Sequence, residues 1–160
     1  MPAGGGSGVP EEAFNFSGSL KYTFAGSNWN WFLDEYFDKI TFNNISTIDY
    51  MCYGNTQITR FPFINITKPI LLDYAWHSCE RIQEINLNYT GDMSASMSHG
   101  FQYPFYNCYS LRRINGLDSW PAVCKGNSIF GLYCAFYNCY SLDELINVPF
   151  VYSTYTSSDY

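Results

Sequence analysis

Ala135-Phe136-Tyr137-Asn138-Cys139-Tyr140-Ser141-Leu142 repeats, with a single change, the stretch Pro104-Phe105-Tyr106-Asn107-Cys108-Tyr109-Ser110-Leu111 that lies 31 residues upstream. Such a repeat means that one supersecondary unit is used several times, each copy burying its apolar side against its neighbours. Reduced to aromatic-x-x-Cys-x-x-aliphatic-x-x-aliphatic, the pattern extends toward the N-terminus. Trp76-x-x-Cys79-x-x-Ile82-x-x-Ile85 fits it fully, whereas Cys52-x-x-Asn55-x-x-Ile58-x-x-Phe61 carries Cys in the aromatic slot and Asn in the Cys slot. A fifth copy opens at Phe24, is interrupted by a Trp- and Phe-rich insertion from Trp29 to Phe37, and resumes at Ile40 and Phe42. A lead-in dipeptide recurs as Lys21-Tyr22, Asp49-Tyr50, Asp73-Tyr74 and Gln102-Tyr103. The aromatic slots at 24, 52, 76, 105 and 136 are separated by 28, 24, 29 and 31 residues.

Within a unit, Ile82-Gln83-Glu84-Ile85-Asn86-Leu87 alternates so that a strand would hide Ile85 and Leu87 and show Glu84 and Asn86. The preceding Asp73 to Cys79 is too short for a full helix and reads as one helical or 3₁₀ turn. The expected fold class is α/β and β-rich: a solenoid of irregular units, 24–31 residues each, with a parallel sheet on one face and short helical or 3₁₀ turns. Residues 1–19 read as a Gly-rich flexible arm or linker, and residues 20–160 as about five units. Ser158-Asp159-Tyr160 matches the lead-in of a sixth, so a complete extra unit or a polar cap is expected to stabilise the chain.

Composition narrows the function classes. A net charge of -6 with eight Lys and Arg in 160 residues argues against a nucleic-acid partner, because phosphate neutralisation needs clustered cations. Charged residues make up 14% and aromatic residues 20%, so the surface is built largely from Asn, Ser, Thr and Tyr, which bind by stacking and hydrogen bonding. No apolar run reaches the ~18 residues of a membrane span, so no membrane insertion is expected. The first residues have no basic and apolar leader pattern. Cys79, Cys108 and Cys139 share one slot and are expected to form a buried ladder of free thiols, since side chains stacked in parallel do not converge as a disulfide requires. A serine at 108 is expected to cost ~1 to 3 kcal/mol by burying an imperfectly satisfied hydroxyl.

The units resemble the BspA-like leucine-rich repeats, which read roughly Ala-Phe-x-x-Cys-x-x-Leu-x-x-Ile followed by an apolar residue and Pro. Residues Ala135 to Leu145 match nearly every fixed position, with Val148-Pro149 close behind, and the likeness extends over about residues 20 to 160. It departs at Ser27 and Asn55, which stand where the family has Cys, and in the loop lengths. Proteins with such repeats include bacterial surface adhesins and gut-phage virion or tail components. The resemblance therefore implies binding and not catalysis, with no ligand specified.

His77 beside Cys79 does not make a nucleophile pair if the thiol points into the ladder, and His99 lies in another unit. Asp34-Glu35 and Asp143-Glu144 are sequence neighbours and diverge on any regular element. Cys124, Cys134 and Cys139 lack the paired spacing of a structural zinc site, so neither metal nor cofactor is expected. Sequons at Asn15, Asn44, Asn65 and Asn88 are read as unmodified. Binding candidates are Tyr106, Tyr109, Tyr137 and Tyr140 as an aromatic stripe, with Trp29 and Trp31 in an insertion that is either a cap over the first unit or a docking patch. Lys39, Arg60, Glu84, Arg113 and Glu144 occupy the slot before each inward strand residue and are expected to form one charge row.

The expected function is a non-enzymatic binding or structural module of a phage virion, a tail or fibre component for host attachment or particle assembly. Its partners would be other virion proteins, or a host surface protein or glycan, with a homo-oligomer allowed and assembly in the host cytoplasm. The alternatives are a bacterial cell-surface adhesion repeat and, from another class, an enzyme with a site in the loops Asn88 to Gly100 or Asp118 to Gly126.

Overall fold

The computed structural model describes residues 14–68, 70, 72–90, 102–116, 119 and 135–143. These residues form a β-rich arrangement of small parallel sheets with few helices and no closed barrel. Strands β1 (Phe14–Ser19) and β2 (Ile40–Thr47) make one parallel pair. Strands β3 (Ile64–Ile66), β4 (Glu84–Tyr89) and β5 (Arg113–Asn115) make a second parallel sheet in that order. Short strands suit these segments because each is a brief run that sends apolar residues into one core and polar ones outward. In β4, Ile85, Leu87 and Tyr89 are buried while Glu84, Asn86 and Asn88 are partly exposed. Gly116 follows β5 at φ 92°, and a Cβ there would collide with Asn88 Oδ1 and the Leu87 carbonyl oxygen.

The span read as a flexible arm must be corrected. Phe14–Ser19 is a strand, with Phe14 and Phe16 turned toward the core and Asn15 and Ser17 outward. Its partner β2 comes from the first repeat unit, so the folded region begins before residue 20. Residues 1–13 lie outside the described residues, as do residues 144–160, including the start of the proposed sixth unit.

The second ladder runs through the turns. The aromatic-slot N–H of one unit donates to the residue before the aromatic slot of the next: Phe24 to Met51 at 2.8 Å, Cys52 to Ala75 at 2.7 Å, Trp76 to Pro104 at 2.8 Å and Phe105 to Ala135 at 3.2 Å. Two residues later the pattern repeats from Gly26, Gly54, Ser78 and Asn107 to Tyr53, His77, Tyr106 and Tyr137. At the strand entries the direction reverses, with Gln83, Arg112 and Asp143 donating back to Thr59, Gln83 and Arg112. Buried main-chain groups need such partners, so the ladder fixes the register between successive units.

Beneath the turns lies the thiol row. Cys79 Sγ donates to the Cys52 carbonyl at 3.1 Å, Cys108 Sγ to Trp76 at 3.0 Å and Cys139 Sγ to Phe105 at 3.1 Å. All three are free thiols, as is Cys52. Burial pushes the thiols of Cys52, Cys79 and Cys108 far up, and that of Cys139 up to about 12. Neutral thiols in an apolar row are packing groups and weak donors, the reverse of an activated thiolate. Asn55, also fully buried, occupies the same row.

The insertion folds into helix α1 (Asn30–Glu35) and a 3₁₀ turn, Phe37–Lys39. A six-residue helix with no side-chain cap depends on packing. Leu33 is buried, and Phe32 and Tyr36 meet Phe14 at 5.1 and 4.9 Å between ring centroids. Asn30 exchanges amide hydrogen bonds with Asn55 at 2.7 and 3.0 Å, tying the helix to the second unit. The inner face of the insertion therefore packs on the core, while Trp29 and Trp31, 51% and 58% exposed, lie outside at 6.3 Å from each other.

Candidate binding surface

The lead-in tyrosines form a column. Tyr22, Tyr50, Tyr74 and Tyr103 follow one another at 5.0, 4.7 and 4.9 Å between ring centroids, each pair stacked. All four take left-handed backbone angles, φ 60°, 55°, 58° and 55°. That conformation costs a non-glycine residue roughly 1–2 kcal/mol, and it recurs because it turns the chain so that each ring meets the next. Ring separations near the ~4.8 Å spacing of adjacent strands follow directly from the turn ladder.

A second column stands beside the first, one residue after each aromatic slot. Tyr53, His77, Tyr106 and Tyr137 stack at 4.9, 4.8 and 4.8 Å. Edge or tilted contacts join the columns, at 5.5 Å for Tyr50 with Tyr53, 5.4 Å for Tyr74 with His77 and 5.6 Å for Tyr103 with Tyr106. Rings with a neighbour on either side, such as Tyr50, Tyr74, His77 and Tyr106, have both faces covered within the column. The plate therefore offers ring edges and phenolic oxygens, which suit protein-like contacts and hydrogen bonding better than flat stacking on a ligand.

The expected tyrosine stripe is thus divided. Tyr106 and Tyr137 belong to the second column, whereas Tyr109 and Tyr140 make another parallel pair at 5.8 Å. Tyr140 is the most exposed ring among the described residues at 76%, and its hydroxyl donates to Asn138 Oδ1 at 2.6 Å. The left-handed tyrosines and the place of His77 were missed as site features. Their signal was the recurring lead-in dipeptide and the Tyr, His, Tyr, Tyr series after the aromatic slots.

Polar groups border the plate. Asp49 Oδ1 accepts the Asp73 N–H at 2.8 Å, and Asp73 Oδ1 accepts the Gln102 N–H at 2.7 Å. Burial raises the Asp49 pKa, and the nearby Asp73 carboxylate adds to it. Burial also lowers that of His77 and raises those of Tyr50 and Tyr74. Lys21 Nζ lies 5.8 and 5.7 Å from the Tyr22 and Tyr50 ring centroids.

Of the charge row, Arg60 bridges to Glu84 in parallel register and Glu84 pairs with Arg113, so these three occupy matching strand positions. The Arg60 guanidinium lies 3.7 Å from the Phe37 ring centroid, and Glu84 accepts a hydrogen bond from Asn115. Lys39 sits in the 3₁₀ turn leading to the other sheet, and Glu144 lies outside the described residues. An exposed ion pair joins Arg112 to Asp143 at 3.3 Å.

A cleft of about 340 Å³ opens where β2 and β3 separate, lined by Asn43, Asn44, Asn65 and Thr67 over Phe42 and two isoleucines. Among the described residues, no three His, Cys, Asp or Glu side chains are placed to hold a metal ion, and no helix is long and apolar enough to cross a membrane. The loops proposed as a catalytic alternative, together with Cys124 and Cys134, lie almost wholly outside the described residues. No family model, curated protein or solved structure matches this chain.

Proposed function

We propose that the units coil into a solenoid of the leucine-rich-repeat type, and that the chain is a non-enzymatic binding or structural module of a phage virion. Its work would be host attachment or particle assembly, through other virion proteins or a host surface protein or glycan. The observation that carries the binding reading is the pair of stacked aromatic columns on the turns. Four left-handed tyrosines are a costly way merely to close a turn, and the resulting plate joins rigid ring edges to hydroxyls, as interface anchors do. The likeness of the units to BspA-like repeats supports the virion setting.

The test has two arms. Antibodies against the chain should label particles in a gut-phage preparation, and the labelled chain should adsorb to bacterial cells or to purified virion proteins. Replacing the exposed plate members together, Tyr22→Ser with Tyr53→Ser, should weaken that adsorption at least about tenfold with the circular dichroism spectrum unchanged. Failure to label particles removes the virion reading. Adsorption that survives the double variant removes the plate as its surface.

A further inference from the structure

We propose that the cleft between β2 and β3 is a binding site for a neutral saccharide, formed by residues other than those of the aromatic plate. The cleft exists because the two strands cannot pair. Phe16 of β1 faces Phe42, Gly18 faces Ile45 and Ser19 faces Thr47, so β2 carries two extra residues against its partner. Asn44 sits in the first of these bulges with φ 49°. A bulge breaks the pleat and re-aims side chains. On the facing unit, Pro62 lacks an N–H between the bridge at Arg60 and the start of β3. The sheets accordingly divide here, with β2 in one and β3 in the other.

The lining specifies the ligand class. No lining side chain is charged, which disfavours phosphate, carboxylate and ammonium ligands. Three primary amides and one hydroxyl carry both donors and acceptors, matching a polyol in which every hydroxyl is both. Phe42, half-buried between Phe16 and Phe61, contributes the apolar part of the floor, and Ile45 and Ile66 are buried beneath it. Two of the amides are already oriented. Asn43 Oδ1 accepts from Asn15 Nδ2 at 2.8 Å, and Asn65 Nδ2 donates to Thr90 Oγ1 at 2.9 Å. Side chains held on strands by such partners lose little freedom on binding. A cleft of about 340 Å³ lies at the small end of ligand sites, which begin near ~300 Å³, and accommodates one or two sugar rings.

The experiment uses the full chain and isotope-edited NMR, with maltose, lactose and chitobiose as neutral probes, glucuronic acid as an anionic one, and a neutral cell-surface polysaccharide beside the free sugars. At least one neutral sugar should shift the side-chain amide signals of Asn43, Asn44 and Asn65, and glucuronic acid should not. Asn44→Gly keeps the positive φ while deleting the amide, and should weaken binding about tenfold without unfolding the chain. Asn65→Ala should do likewise. Shifts given only by the polysaccharide would identify an extended surface glycan as the natural source, and shifts given by free disaccharide a short one. The proposal is overturned if no neutral probe moves these signals, if the shifts map to Trp29 and Trp31 or to the tyrosine columns, or if binding survives both variants. None of these outcomes depends on whether the chain resides in a virion.

Discussion

The Asn55 amide donates to the carbonyl of Phe24 at 3.1 Å, the bond that Cys79, Cys108 and Cys139 each make through the thiol to the aromatic slot of the preceding unit. The slot thus selects a donor of the right reach, and sulfur is one solution. Asn55 does more than a thiol, since its Oδ1 also accepts the Ile58 N–H at 3.2 Å and an Asn30 Nδ2 hydrogen, while its Nδ2 donates to Asn30 Oδ1. In the thiol units the equivalent N–H of Ile82, Leu111 or Leu142 turns to the backbone carbonyl of the Cys.

Asn55→Ala should therefore destabilise by about 3 kcal/mol, because it leaves the Phe24 carbonyl without this donor and removes both bonds to Asn30. Asn55→Cys should cost markedly less, as its thiol can donate to the Phe24 carbonyl in the way the thiols of the later units do. The Trp76 carbonyl likewise gives a serine at 108 an acceptor, which places Cys108→Ser near ~1 kcal/mol, the low end of the sequence-based expectation, with Cys108→Val worse. Urea denaturation of the four variants orders them.

His77 is the single non-phenolic ring of its column, between Tyr53 and Tyr106. Burial holds its pKa below the ordinary value, so its neutral form contributes stability that is present above the unfolded pKa and lost as pH falls through the folded one. His77→Tyr, the residue of the matching slots, should remove that loss. Melting temperatures of the two proteins, compared from about pH 7.5 to about pH 5, should converge at the upper end and separate at the lower.

Asp49 has the opposite sign. Its pKa is raised, chiefly by burial, so the carboxylate form is tolerated less well in the folded chain than in the unfolded one. Asp49→Asn retains an acceptor for the Asp73 N–H and removes the charge beside Asp73. The variant should melt higher at neutral pH, and the difference should vanish as pH falls low enough to protonate Asp49 itself. A gain that persists in acid would rule out the electrostatic cause.

Tyr74 tests the columns. Its ring stacks on Tyr50 and Tyr103 while its backbone is held at φ 58°. Tyr74→Ala and Tyr74→Gly both lose the stacking, but only Gly relieves the left-handed strain, so Gly should be the more stable by ~1 kcal/mol. Both should lie below the wild type in thermal unfolding if stacking outweighs strain.

The parts of the fold legible in the sequence are those written as spacing. The aromatic-x-x-Cys slots placed Cys79, Cys108 and Cys139 in one row, and the slot before Ile85 predicted that Arg60, Glu84 and Arg113 occupy matching strand positions. Three things were not legible. Phe14 and Phe16 alternate over too few residues beside Gly and Ser to announce a strand, and their partner β2 lies beyond the helical insertion. The positive φ of Tyr22, Tyr50, Tyr74 and Tyr103 runs against the residue's own preference and is enforced by the turn ladder. The cleft arises from bulges, and a bulge is a mismatch between two strands that neither strand shows by itself.

In the thiol row, the group that receives each backward bond is a main-chain carbonyl, whatever side chain accompanies it: phenylalanine at 24 and 105, cysteine at 52, tryptophan at 76. The junction between units is therefore indifferent to the identity of the receiving residue. A copying error that duplicated a thiol unit would create a new junction in which the thiol again meets a carbonyl, and one that deleted such a unit would leave the next thiol a carbonyl to meet. Change of length by unequal recombination would thus proceed without compensating substitutions, and the near-identical stretches at 104–111 and 135–142 have the form such an event leaves behind.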